Sequence, residues 1–193
     1  MYAFIGRQIF NGINLNSTVF DNKFFSLVIL YGIVDKFFET GQNVIVSIVF
    51  YILSSLVIYA LLHENICLKF KSKIKKVLFF LFILSLIILI NFPYVGFSGN
   101  TEVISNFVIL LILFYCKKVI EENKASNFFI ISFLSLFLLS INLISSFVVF
   151  FPIIYVFYLN RNFKNLKVIT YIVCGIILFV IYTFLIFYKT NSN

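Results

Sequence analysis

The side chains able to do chemistry are few, and three of them, Arg7, Asp21 and Lys23, sit in the opening stretch MYAFIGRQIFNGINLNSTVFDNK. Asp21 is the carboxylate nearest Lys23, so the two can simply pair in partial solvent. Lys23 can equally be an interfacial lysine whose stem lies along apolar surface while its ammonium reaches water. Glu102 opens a later apolar run, where a carboxylate is favoured at a helix start by the macrodipole. His63-Glu64 lacks the second His of an HExxH metal motif. Cys67, Cys116 and Cys174 show no CxxC spacing, so neither a metal site nor a disulfide framework is indicated. With two of them inside apolar runs, the cysteines read as small buried apolar residues.

The elements that must position these groups are membrane helices. The 193-residue chain is 62% hydrophobic and 11% charged, with mean hydropathy +1.10, against roughly 45–50% and 25% in globular domains. At least four runs approach or exceed the roughly 17–25 apolar residues that span a bilayer. Lipid offers no partner for unpaired backbone groups, so helices are the structure expected in bulk. The expected fold class is an all-α integral membrane protein, a multi-span helical bundle. The net charge of +8 does not point to nucleic acid, because Lys and Arg lie between apolar runs rather than along one surface. The start is not a signal peptide either, since MYAFIGRQIFNG breaks at Gly6, Arg7 and Gln8 before an apolar h-region can form.

Along the chain, Asn43 to Leu62 carries no charge and is the first convincing span, followed by a segment with Lys69, Lys71, Lys73, Lys75 and Lys76. A second span is expected over Val77–Phe92, closed by Pro93 and PYVGFSGN, and a third, short one over Thr101–Cys116. KKVIEENKAS, residues 117–126, then reads as a charged surface segment. Phe128 to Leu159 is too long for one straight span, because a 32-residue helix measures about 48 Å against a hydrocarbon core of about 30 Å. SINLISS clusters polar residues at its midpoint, so a short helical hairpin turning near Asn142 is expected, with its turn buried in protein. The last span is expected over Val168–Tyr188.

Charge tests this layout. The hairpin puts residues 117–126 and 160–167 on the side of the Lys69–Lys76 segment, collecting 11 of the 15 Lys and Arg there, as the positive-inside rule requires of a cytoplasmic face. Residues 1–42 and 93–101 then face outward, with Glu102 at the membrane edge. The domain organisation expected is an extracytoplasmic loop over 1–42 and a transmembrane region over 43–193, in a multi-pass protein of the cell membrane. Within the loop, Tyr2, Ile5, Ile9 and Phe10 can share one side of a short interfacial helix over 3–10, stopped by Gly12. FFSLVILYGIVDKFF, residues 24–38, reads as a second interfacial helix.

YAFIGRQIFNG, a turn, VFDNK, and a short apolar segment with Tyr31 followed by DKFF together resemble the first extracytoplasmic loop of polyprenyl-phosphate-sugar-dependent glycosyltransferases. These are the GT-C enzymes of the protein O-mannosyltransferase and lipid A aminoarabinose transferase type. GNTEVISNFVILLILFY and the hairpin stretch SFLSLFLLSINLISSFVVFFPIIYVFY are similar as well. The resemblance implies two interfacial helices on the outer face of the bundle. It also implies inverting transfer of a sugar from a lipid-phosphate carrier to an acceptor outside the cytoplasm, without metal or cofactor. Lys23 takes the place of the family's basic residue near the donor phosphate, where a point charge stabilises the leaving phosphate. Arg7 is a second candidate for the phosphate, and Glu102 for organising the site.

Two departures from the family pattern shape the expectation. The acidic residue, often Asp-Glu, that should precede the stretch and act as general base is absent, which leaves Asp21 as a weak substitute. The family's Pro-Pro after DNK is here Phe24 and Phe25. The expectation is therefore a fragment of a glycosyltransferase, truncated at both ends and inactive alone. Expected partners are membrane lipid, a polyprenyl-phosphate-linked sugar, an acceptor of unassigned chemistry, and a second chain completing the bundle; nucleic acid is not among them. The alternatives are a transporter or flippase fragment and a non-catalytic membrane subunit. No charged residue lies deep in any span, which speaks against the transporter.

Overall fold

The computed structural model describes residues 30, 32–34, 37, 42–62, 73–91, 101–122, 124–159 and 166–191. Six helices account for nearly all of them: α1 Gln42–Leu62, α2 Lys73–Asn91, α3 Thr101–Glu122, α4 Asn127–Leu139, α5 Leu143–Leu159 and α6 Leu166–Asn191. No strand occurs among the described residues. Helices long and apolar enough to cross a membrane run over 44–62, 102–122 and 166–185, with two shorter apolar helices over 127–139 and 145–158. The fold is an all-α membrane helical bundle.

Side-chain partners give the helix directions. Along α1 and α3 they rise together: Phe50 packs edge-to-face on Phe107 at 5.3 Å between centroids, and Lys117 Nζ donates to the Leu61 carbonyl at 3.2 Å. α1 and α3 are therefore parallel, and the chain between them returns through α2, whose Phe80 meets Tyr59. α4 runs back along α3. Its Phe128 stacks on Phe157 near the end of α5 at 5.3 Å, so α4 and α5 form an antiparallel hairpin. α6 is parallel to α4, with Phe133 against Phe179 and Phe137 against Tyr182.

The core follows from this arrangement. Ile104, Val108, Ile112, Cys116 and Val119 make one buried face of α3, and Val46, Ile131, Leu138, Ile141, Val149 and Val156 close on it from α1 and the hairpin. The α3 residues are spaced at i+3 and i+4, the repeat of one helix side. The opposite faces are unusually apolar for contact with water: Phe151 is 78% exposed and Phe184 65%. A surrounding hydrocarbon phase accounts for that exposure.

The expected hairpin is present. Residues 140–142 break the helix, and the Asn142 side-chain oxygen accepts the Ser145 backbone N–H at 3.2 Å. This is an N-cap on α5, which supplies one of the donors a helix start leaves open. Ile141 at the turn is fully buried. Because Phe128 and Phe157 stack, the hairpin brings the chain back to the level at which it began. α5 continues through Pro152.

Four expectations need correction. The third span does not stop at Cys116: α3 runs on to Glu122, because Lys117 pairs with Glu121 at 3.3 Å and Lys118 with Glu122 at 4.0 Å in i, i+4 register. The second helix starts at Lys73 rather than Val77 and the last covers Leu166–Asn191. Cys116 is buried, but Cys174 is exposed, because α6 is covered along one side only. Cys67 and the expected interfacial helix over 3–10 lie outside the described residues. Within 24–38, Leu30, Gly32, Ile33, Val34 and Phe37 are helical, and Leu30 and Val34 pack on the core.

Helices in lipid associate by close packing rather than by a hydrophobic drive, and α6 shows the device. A Cβ added at Gly175 would lie 2.6 Å from the Phe129 carbonyl oxygen and collide with the Ser132 hydroxyl. The Ser132 side chain can swing away; the backbone oxygen cannot. Gly175→Ala is expected to destabilise the bundle by about 1–3 kcal/mol, the range for overpacking. A thermal melt in detergent should show a lowered midpoint, only partly restored by adding Ser132→Ala.

Candidate functional site

Of the residues nominated by sequence, Arg7, Asp21 and Lys23 lie outside the described residues, as does His63-Glu64. Glu102 is described. It stands exposed in the first turn of α3, and since α1 and α3 are parallel it belongs to the end of the bundle at which the chain enters α1. Asn106, four residues on, shares its helix face and lines a groove between α1 and α3.

This groove is a cavity of about 240 Å³ walled by Tyr51, Ser54 and Ile58 of α1 and by Val103, Asn106 and Leu110 of α3. Each set is an i, i+3, i+7 stripe, the residues a helix presents along one side. Tyr51 and Ser54 are 4% and 3% exposed, and Ser54, twelve residues after Gln42, lies about 18 Å along α1 at 1.5 Å per residue. The groove thus carries polar side chains toward the middle of a helix that can cross a membrane.

The Ser54 hydroxyl stands out against its neighbours. Most other described hydroxyls donate to carbonyls of their own helix, among them Ser55 to Tyr51 at 2.8 Å, Ser135 to Ile131 at 2.7 Å, Thr170 to Leu166 at 2.9 Å and Thr183 to Phe179 at 2.9 Å. This back-bonding makes a hydroxyl tolerable where no water is at hand. Ser54 Oγ and Ser105 Oγ are buried without a hydrogen-bond partner, and of the two only Ser54 lines the groove.

Two other cavities differ in chemistry. One, of about 190 Å³, is walled entirely by apolar side chains, among them Leu30, Phe50, Phe107, Leu134 and Ile141. The other, of about 310 Å³, lies at the opposite end of α3 and contains Tyr59, Phe114, Lys117, Lys118, Glu121 and Glu122. Its lysines are matched by carboxylates, and Lys118 also lies 5.0 Å from the Phe114 ring centre, so the pocket offers no surplus positive charge for a phosphate. Among the described residues no three His, Cys, Asp or Glu side chains gather as a metal site would require.

Sequence reasoning passed over Tyr51, Ser54 and Asn106. The available signal was the run of serines in α1 and the four-residue spacing of Glu102 and Asn106; the parallel register that joins them was not in the sequence. Comparison with known proteins gives no matching family model, no matching curated protein and no matching solved structure.

Lys117 ties the far ends of α1 and α3 through a carbonyl at a helix C-terminus, where a cation is favoured. Lys117→Met keeps the apolar stem and removes the charge. It is expected to cost about 1–3 kcal/mol, the range for a charged hydrogen bond, whereas Lys118→Met removes a surface pair worth at most about 1 kcal/mol. Paired melts of the two variants should rank them in that order.

Proposed function

We propose that the chain is a portion of a membrane glycosyltransferase that takes a sugar from a polyprenyl-phosphate donor and passes it to an acceptor outside the cytoplasm. The opening stretch carries this reading: YAFIGRQIFNG, VFDNK and DKFF in that order. On this reading Lys23, with Arg7, meets the donor phosphate, Glu102 organises the outer end of the site, and transfer needs a carboxylate from a second chain. The protein lies in the cell membrane with residues 1–42 outside. Two features of the bundle support the reading. The stretch similar to the family, SFLSLFLLSINLISSFVVFFPIIYVFY, forms a helical hairpin that breaks at Asn142, and the chain enters α1 at the same end as Glu102.

The test is transfer of radiolabelled sugar from polyprenyl-phosphate carriers by membranes containing this chain, alone and with the product of any adjacent reading frame. Transfer is expected only with the second chain and is expected to fall about 10²–10³-fold in Lys23→Ala, the usual loss for one electrostatic stabiliser of a transition state. Absence of transfer in both arms, with the protein inserted and a known enzyme active in parallel, overturns the reading in favour of a non-catalytic membrane subunit.

A further inference from the structure

We propose that the groove between α1 and α3 is a water-filled crevice entering the membrane-embedded part of the bundle from the end that carries Glu102. The inference is independent of sugar transfer, since it concerns what occupies the groove and not what the chain catalyses.

Three observations carry it. The walls present a phenol, a hydroxyl and a carboxamide, from Tyr51, Ser54 and Asn106, and each is a group that both donates and accepts. The Ser54 hydroxyl has no partner among the described residues, whose other hydroxyls mostly bond back to their own helix. A buried hydroxyl left without any partner costs about 1–3 kcal/mol, which a slight opening of the groove floor toward water removes. The volume of about 240 Å³ equals the liquid share of roughly eight waters, and a polar, roomy site of this kind is the sort that hydrates.

The alternatives fit the walls less well. Among the described residues no cation lines the groove to hold an anionic head group within it. A hydrocarbon chain would leave the Ser54 hydroxyl and the Asn106 carboxamide facing lipid. The apolar cavity beside Leu30 and Phe137 provides an internal contrast, since its walls offer water nothing to bond.

Cysteine accessibility in native membranes tests the crevice. A thiol in water ionises and reacts, whereas one held in hydrocarbon stays protonated and inert. In a full-length chain with Cys67, Cys116 and Cys174 replaced by alanine, single cysteines are placed by Ser54→Cys, Asn106→Cys, Glu102→Cys and Leu56→Cys. They are treated with a charged, membrane-impermeant thiol reagent, in intact cells and in inverted vesicles. Leu56 is the control, at similar depth on α1 but exposed on another face. Ser54→Cys and Asn106→Cys are expected to react from the same side as Glu102→Cys, about tenfold or more faster than Leu56→Cys. If Ser54→Cys does not accumulate, Ile109→Cys reads the same space from α3. Reaction at Glu102→Cys alone overturns the proposal, as does modification of the groove positions only by a lipid-soluble maleimide, which would mean that an acyl chain fills the groove.

Discussion

In hydrocarbon a hydrogen-bonding group has no solvent to fall back on, and the rest of this structure depends on that constraint. It selects helices for the bulk of the chain, since a helix satisfies its own backbone. It also governs the side chains that interrupt the apolar text. Serines and threonines on α1, α4 and α6 turn back to carbonyls three or four residues earlier, and Asn142 spends its oxygen on the start of α5. Where the chain must leave the helix inside the bundle, at residues 140–142, the break is short and capped. The unpartnered Ser54 hydroxyl in the α1–α3 groove is informative because most described hydroxyls avoid that condition.

α3 is the element around which the others are arranged. One of its sides, from Ile104 to Val119, closes the core against α1 and the hairpin; another, through Val103, Asn106 and Leu110, forms a wall of the polar groove. Its two ends are chemically distinct. Glu102 begins it with a single exposed carboxylate, and Lys117, Lys118, Glu121 and Glu122 end it in paired charges, one of which also holds α1. α6 attaches chiefly to one helix, α4, through Gly175 and a file of aromatic rings, and most of its surface is left to lipid.

Much of the fold was legible in sequence because length and hydropathy are strong signals in a membrane chain. The hairpin was legible because SINLISS puts polar residues where a single span would be too long. The end of α3 was not, because Lys117, Lys118, Glu121 and Glu122 read as surface text until their i, i+4 pairing is seen to continue the helix. The exposure of Cys174 was not legible either, since a helix apolar on every side gives no periodicity to tell its packed face from its lipid face. The groove needed the parallel register of α1 and α3, which joins Ser54 to Asn106 across more than fifty residues of sequence. Of the four site residues nominated from the opening stretch and the start of α3, Glu102 alone falls among the described residues, one turn from the groove's Asn106.

The parallel pairing of α1 and α3 fixes the core, the groove and the shared end of Glu102 and the α1 entry, so it is the claim to test first. Single pairs of cysteines at 50/107, 61/117 and 50/117, in the cysteine-free chain, would be treated in native membranes with a short bifunctional thiol reagent and scored by gel mobility. The account predicts cross-links in the first two pairs and none in the third, whose members are separated by about 15 Å along α3. Cross-linking of 50/117 with failure at 50/107 would contradict it.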